Sequence, residues 1–329
     1  MRILVVKLSS LGDILHVLPT VCALKAQTGA SIDWVVHPEF AAIVRCFAAV
    51  DNVLTFPRRK FFGEFRRSLR ELRKVEYDLV IDLHGLMKSA IVTFLSRAKR
   101  KVGPSYAREG SALLYPERAG RMHRDCHAAV QAFDTLDYLG YERPQRDLNP
   151  SDFNLSAIEV PHGAPLIAFA PVSRWDSKNW PVSHFAALAS LIAKARPNAK
   201  IVVVGGKADI IVGNQIVVAA PKSVVNLCGK TSIAESMALL SECDLLIAND
   251  TGPVHMAAAV GTRCLVVFGP TRPDWTGPFG NGHRTIMKSL PCQPCLRHTC
   301  PKGTKECMTA ISPEEVMAQA FEMLGEGVE

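Results

Sequence analysis

The sequence predicts an α/β chain of two Rossmann-like lobes with parallel sheets and a cleft between them. Three observations predict it. Short apolar runs alternate with helix-length amphipathic segments twice over, the order that yields parallel strands covered on both faces. A polar, proline-rich passage at 141–165 separates the two runs and reads as a linker. The residues with usable chemistry fall at the C-terminal ends of the expected strands, where ligands of such sheets bind.

In the first run, RILVV (2–6), IDWVV (32–36) and YDLVIDLHG (77–85) read as strands, the last with its exit. Helices are expected at 14–27, 61–75, 86–98 and 127–140, the last ending in Gly140. The helix at 61–75 sets Phe65, Leu69 and Leu72 on one face and arginines on the other. In the second run, strands are expected at 165–170, 199–206, 244–250 and 263–270, with helices at 184–195, 233–243 and 252–261. A closing helix at 312–327 starts from Ser312 as N-cap and Pro313 in the first turn. The expected boundaries are 1–155, 156–311 and the closing helix segment 312–329.

A chain of 329 residues suits two domains of about 100–200 residues each. Hydrophobic residues at 48% are enough for two cores. No run reaches the roughly 18 apolar residues of a membrane span. The opening MRILVVKLSSLGD reads as a first strand rather than a signal peptide, so the expected location is cytoplasmic. The ten cysteines are then expected as reduced thiols, and Cys22, Cys46, Cys126, Cys228, Cys243 and Cys264 as small core residues. The net charge of +7 is either surface bias or the footprint of an anionic partner: a nucleotide, a phosphorylated lipid or nucleic acid. Basic clusters at 58–60, 66–67 and 97–101 place such a partner on the first half.

Five motifs carry chemistry. KLSSLGD (7–13) turns from strand to helix, with Gly12 permitting the turn and Asp13 placed to cap the helix, to face the cleft, or both. It matches neither a GxGxxG fingerprint nor a Walker loop, which disfavours a plain NAD or ATP site. NDTGPVH (249–255) puts Asp250, Thr251 and Gly252 at a helix N-terminus, suited to phosphate, with His255 one turn in. SRWDSKNWP (173–181) offers Lys178 at a strand end, a point charge for a diphosphate leaving group. GGKAD (205–209) is a turn whose Asp209 suits ribose hydroxyls. CQPCLRHTCPKGTKEC (292–307) spaces Cys292, Cys295, Cys300 and Cys307 as a closed four-thiolate site for structural Zn or Fe, or as free thiols in a loop, with His298 an alternative ligand.

MRILVVKLSSLGDILHVLPT, VIDLHGLMKSA, SRWDSKNWP, ANDTGPVHMAAAVG and VVFGPTRP, in order along nearly the whole chain, resemble the ADP-heptose glycosyltransferases of family 9. The opening segment and VIDLHGLMKSA are most similar to the heptosyltransferase I branch. The four-cysteine loop departs from that branch. It looks like loops of heptosyltransferase II-like members and of autotransporter heptosyltransferases that bind iron through cysteines.

The resemblance implies a GT-B fold, with acceptor bound by the first domain and ADP-sugar by the second. It implies metal-independent, inverting transfer of heptose from ADP-L-glycero-D-manno-heptose to a Kdo–lipid A acceptor of the lipopolysaccharide inner core. On matching positions Asp13 becomes the general base. Ser173 and Lys178 hold the diphosphate with the Thr251 and Gly252 backbone. Asp250 binds the heptose, and His255 lines that pocket. Asp209 falls at a ribose contact and Thr231 near the adenine. Lys7, Ser10, Arg58, Arg59 and Lys60 are expected to meet the acceptor's carboxylates and phosphates, at the cytoplasmic face of the inner membrane and with no nucleic acid involved. Competing readings are transfer to another core sugar or a protein, a GT-B sugar-nucleotide epimerase, and a nucleotide-binding regulator without turnover.

Overall fold

The computed structural model describes residues 1–57, 63–120 and 126–325. Two compact units divide it, Met1–Asn154 and Leu155–Glu329.

The first unit is a six-stranded parallel sheet of β1 (Arg2–Val6), β2 (Ser31–Val36), β3 (Asn52–Thr55), β4 (Glu76–Asp82), β5 (Arg97–Gly103) and β6 (Glu117–Arg118), in the order β3-β2-β1-β4-β5-β6. Its helices are α1 (Leu11–Thr28), α2 (Ala41–Arg45), α3 (Gly63–Leu72), α4 (Met87–Leu95) and α5 (Ala128–Leu139). This is the doubly wound order, and it reverses between β1 and β4, where a crevice opens beyond the strand ends. β1 is buried along Ile3–Val6, which is why its sequence is a continuous apolar run.

The second unit repeats the order. β7 (Leu166–Ala170), β8 (Lys200–Val203), β9 (Val224–Asn226), β10 (Leu245–Asn249), β11 (Cys264–Val267) and β12 (Arg284–Ile286) run β12-β11-β10-β7-β8-β9. The reversal lies between β7 and β10. The helices are α6 (Val182–Ala195), α7 (Ile210–Ala219), α8 (Ile233–Ser241), α9 (Gly252–Ala259), α10 (Pro273–Thr276), α11 (Glu306–Thr309) and α12 (Pro313–Leu324). Phe169, Trp180 and Phe185 form the aromatic centre of this core, which Val316, Ala320 and Phe321 of α12 also enter. The closing helix thus packs on the second unit.

Several expectations change. The basic run at 97–101, expected as a helix end and an anion-docking patch, is strand β5. Three of its four charges pair with the flanking strands: Lys99 with Asp78 at 2.7 Å, Arg100 with Glu117 at 2.7 Å and Arg97 with Glu76 at 3.7 Å, while Lys101 donates to the Phe94 carbonyl. Parallel pairing with β4 and β6 sets these three cations against carboxylates. Helix α1 begins at Leu11 with Ser10 as N-cap, so Asp13 is not the cap but the third helical residue. The 141–165 passage is not a free linker throughout. Phe153 bridges to Phe47, and Arg146 pairs with Asp152 at 2.8 Å, fastening the chain to the first unit as far as Asn154. Cys22 and Cys126 are half-buried, whereas Cys46, Cys228, Cys243 and Cys264 are core residues. Arg58, Arg59 and Lys60 lie outside the described residues.

Candidate functional site

In the first unit a concavity of about 180 Å³ sits at the β1/β4 reversal, lined by Lys7, Asp13, His16, His84, Tyr106 and Arg108 among others. Asp13 reaches back across the first turn of α1. Its Oδ2 accepts from the Ser10 backbone N–H at 3.0 Å and the Ser10 hydroxyl at 2.7 Å. This is the reciprocal half of a capping box, and it fixes the carboxylate's rotamer. Burial pushes the Asp13 carboxyl up, but the Lys7 charge and the two Ser10 bonds outweigh it and hold the carboxyl at about 2. Lys7 extends β1 and is itself buried, which lowers its ammonium pKa against the pull of Asp13 and Asp82. The structure therefore brings Lys7 and Ser10 to Asp13.

The other wall of the concavity comes from the β4 exit. Gly85 stands at φ +74°, and a Cβ there would meet Pro104 Cγ at 2.9 Å. Its carbonyl accepts from Arg108 N–H at 2.8 Å and the Ser111 hydroxyl at 2.9 Å, while Tyr106 donates to the Leu83 carbonyl at 2.9 Å. These bonds hold Tyr106 and the exposed Arg108 beside Asp13. Beneath them Asp82 is fully buried. It accepts from His84 N–H, Gly85 N–H and the Tyr115 hydroxyl, and burial raises its carboxyl even so. His16, His84, Tyr106, Arg108 and Asp82 all escaped the sequence reading. His16 alone had a local signal, being three residues after Asp13 on the same helix face.

In the second unit the loops after β7 and β10 meet at the reversal. Lys178 Nζ lies 2.6 Å from Asp250 Oδ2, and the buried Thr271 hydroxyl donates to the same oxygen at 2.7 Å. Ser173 donates its hydroxyl to the Asp250 carbonyl at 2.9 Å. Asn249, with no exposed surface, accepts from Trp180 N–H and donates to the Pro171 carbonyl, tying the two loops together. Thr251 is the N-cap of α9, yet its hydroxyl turns to the Val172 carbonyl and does not cap, leaving the helix end to backbone groups at Gly252. His255 is buried in the first turn of α9. Ser173, Lys178, Asp250 and Thr251 thus converge, with Gly252 and His255 in the first turn of the helix that follows. Thr271 and Asn249, both missed from sequence, complete the group.

Asp209 and Thr231 stand apart from that group, at the ends of β8 and β9. Asp209 turns its Oδ2 back to Gly206 N–H at 2.7 Å, and Thr231 pairs with Ser236 at 2.7 Å. Gly229 N–H donates to the Gly205 carbonyl at 2.9 Å, so the two loops abut.

Cys292, Cys295, Cys300 and Cys307 line one small cavity of about 70 Å³, all as free thiols. Backbone N–H groups of Lys305, Lys302, Gly303 and Thr304 point at the Cys300 sulfur and lower its thiol pKa, while burial raises that of Cys307. Among the described residues, no three His, Cys, Asp or Glu side chains stand close enough to hold a metal ion. The donor atoms suit zinc or iron, but their arrangement does not. No helix among the described residues is long and apolar enough to cross a membrane.

Comparison with known proteins agrees with this geometry. The profile of glycosyltransferase family 9 (heptosyltransferase) matches residues 65–306. Lipopolysaccharide heptosyltransferase 1 of Pseudomonas aeruginosa is 31% identical over 360 aligned residues that cover 98% of each chain. The E. coli heptosyltransferase WaaC with ADP superposes with a TM-score of 0.82 at 26% identity, over 98% of this chain and 100% of that one. WaaC with ADP-2-deoxy-2-fluoro heptose gives 0.79 at 26% identity, over 98% and 99%. The two doubly wound sheets are those of a GT-B glycosyltransferase, and the chain belongs to glycosyltransferase family 9, the heptosyltransferases.

Proposed function

We propose that the protein is an inverting heptosyltransferase that moves heptose from ADP-L-glycero-D-manno-heptose to a Kdo–lipid A acceptor of the lipopolysaccharide inner core. The observation that carries this reading is Asp13, a carboxylate kept ionised by Lys7 and Ser10 in a concavity also lined by Arg108. Only one of its oxygens is occupied by Ser10. The other is left to take a proton from an acceptor hydroxyl. Arg108 offers a planar fork for an acceptor carboxylate.

Departure of ADP is the task of the second unit. An ammonium has three donors, so the Asp250 contact leaves Lys178 two for phosphate oxygens. The N-terminus of α9 adds backbone N–H and dipole. With these charges meeting the leaving diphosphate, transfer needs no metal. Asp250, oriented by Thr271, would accept from heptose hydroxyls. Direct attack by the hydroxyl that Asp13 deprotonates, with ADP as the leaving group, would be a single displacement and would invert the anomeric centre. Asp209 and Thr231 would take the ribose and adenine. The phosphorylated lipid acceptor would bring the protein to the cytoplasmic surface of the inner membrane.

The cysteine loop has the donor atoms of a structural Zn or Fe centre, but among the described residues they are not gathered as a ligand set. Elemental analysis of the purified protein decides between the two: one Zn or Fe per chain would show that the thiols draw together, and none would leave them free.

The central experiment is transfer by Asp13→Asn. It should lose roughly 10²–10⁴-fold in turnover while keeping its affinity for ADP. Wild-type turnover would overturn the role of Asp13. Mass spectrometry of products from Kdo–lipid A, a heptosylated core and a peptide identifies the acceptor. Conversion of the donor with no acceptor present would instead mean an epimerase.

A further inference from the structure

Lys178 sits on a single 3₁₀ turn, Asp176–Lys178, too short to hold its own shape. On its inner side the turn is tied by Asn179, whose side chain accepts from Ser173 N–H at 2.6 Å. On its outer side the turn is tied to the cysteine-bearing loop. Ser177 N–H donates to the His298 carbonyl at 3.1 Å, and the Ser177 hydroxyl to the Arg297 carbonyl at 2.5 Å. Lys305 pairs with Asp176 at 2.9 Å. The Trp175 indole stacks on the His298 imidazole, with centroids 4.0 Å apart and planes 23° from parallel. Lys178 Nζ lies 4.5 Å from the centroid of that same indole.

The loop is itself anchored. Gln293 donates to the Gly269 carbonyl at 2.7 Å and Leu296 N–H to the Pro270 carbonyl at 2.9 Å, at the exit of β11. A Cβ at Gly269 would meet Met308 Sδ at 2.5 Å and Cys307 Sγ at 3.0 Å, so the packing there is close. Ser177 shares with the four cysteines the walls of one cavity. A continuous set of contacts therefore runs from the thiol loop through His298 and Ser177 to Trp175 and Lys178.

We infer that the 292–307 loop is a positioning clamp for Lys178, with His298 the residue that sets the ammonium's place by stacking on Trp175. His298 is a positioning residue: it acts on the donor through Trp175 and Lys178. The inference rests on the reading of Lys178 as a ligand of the donor diphosphate. It explains why a four-cysteine loop belongs in a transferase whose chemistry needs no metal. The loop's fold, whatever state its thiols take, fixes a charge in the donor site.

The test compares Lys178→Ala, His298→Ala and His298→Phe in the full chain, by ADP titration calorimetry and steady-state kinetics. His298→Ala should weaken ADP and raise the donor KM by about ten-fold while leaving the acceptor KM unchanged. His298→Phe keeps an aromatic stack and should recover most of that loss. Amide exchange at Ser177 should quicken in His298→Ala, a readout that holds even if activity is lost. Lys178→Ala with wild-type ADP affinity would fail the donor reading itself. Weak ADP binding in Lys178→Ala with wild-type binding in His298→Ala would fail the clamp alone. Equal losses in the alanine and phenylalanine variants, or equal rises in both KM values, would also overturn the clamp.

Discussion

Lys178 Nζ and Asp250 Oδ2 stand 2.6 Å apart, an ion pair that joins the loop after β7 to the loop after β10. Both side chains are largely withdrawn from water, at 15% and 8% exposure. Lys178→Ala would leave Asp250 with Thr271 as its remaining side-chain donor. Truncating one partner of a buried pair costs about 3–5 kcal/mol, and the Thr271 bond places this case at the lower end, about 3 kcal/mol. Thermal unfolding should show the loss, and ADP affinity should fall with it. Lys178→Ala with unchanged stability and ADP binding would mean that the pair does neither job.

Lys7→Met isolates the electrostatics at Asp13. Burial alone would raise the Asp13 carboxyl, and the Lys7 charge is the largest opposing influence. Removing it should raise the carboxyl pKa by about one to two pH units. The sign follows. With the folded value near 2, below the usual 3.8, Asp13 adds stability above pH 4 that is lost as pH falls toward 2. The variant should lose that contribution, and the acid limb of its kcat/KM profile should move upward. An acid limb in the same place would show that Lys7 does not govern Asp13.

Asp33 is the hub of the first sheet's N-terminal side. It is 2% exposed and accepts from Arg2 Nη2 at 2.9 Å, the Tyr77 hydroxyl at 2.8 Å and Asn52 at 2.9 Å. These bonds bind β1, β2, β3 and β4 through one carboxylate. Tyr77→Phe removes a charge-assisted bond and should cost about 1.5 kcal/mol. Amide exchange in β1, β2 and β4 is the measurement. Unchanged protection there would show that Arg2 and Asn52 suffice.

The thiols should separate by reactivity. Cys300 has its pKa lowered by four backbone N–H groups, whereas burial pushes Cys22 and Cys243 up to about 12. A lower pKa means more thiolate at neutral pH and faster alkylation. Iodoacetamide followed by peptide mapping should mark Cys300 first and leave Cys22, Cys228, Cys243 and Cys264 last. Labelling of Cys264 before Cys300 would contradict the arrangement of N–H groups around that loop.

The strand starts and the phosphate-suited turns were legible in sequence because they are local. A buried strand is an apolar run, and a strand–helix turn that meets a ligand needs glycine and small polar residues within a few positions. KLSSLGD and NDTGPVH show both features. The short strands β3, β6, β9 and β12 escaped because two to four residues carry no periodicity. β5 escaped because its residues are basic, and only pairing with acidic neighbours makes RAKRK acceptable in a sheet.

The sequence by itself determined the alternation of strands and helices, the two runs, and the motifs that carry the family likeness. Each is a pattern over contiguous residues, set by burial on one face and by turn geometry. Only the tertiary structure decided who stands beside whom. It put Thr271 on Asp250, His298 on Trp175, and Lys7 with Ser10 on Asp13. It also paired Arg97, Lys99 and Arg100 with carboxylates of the neighbouring strands. Ser177 and Arg297 are 120 residues apart in the chain, and Trp180 and Ile311 are 131. Bonds over such distances exist only once the sheets have formed, because strand order, not local propensity, brings the loop ends to one place.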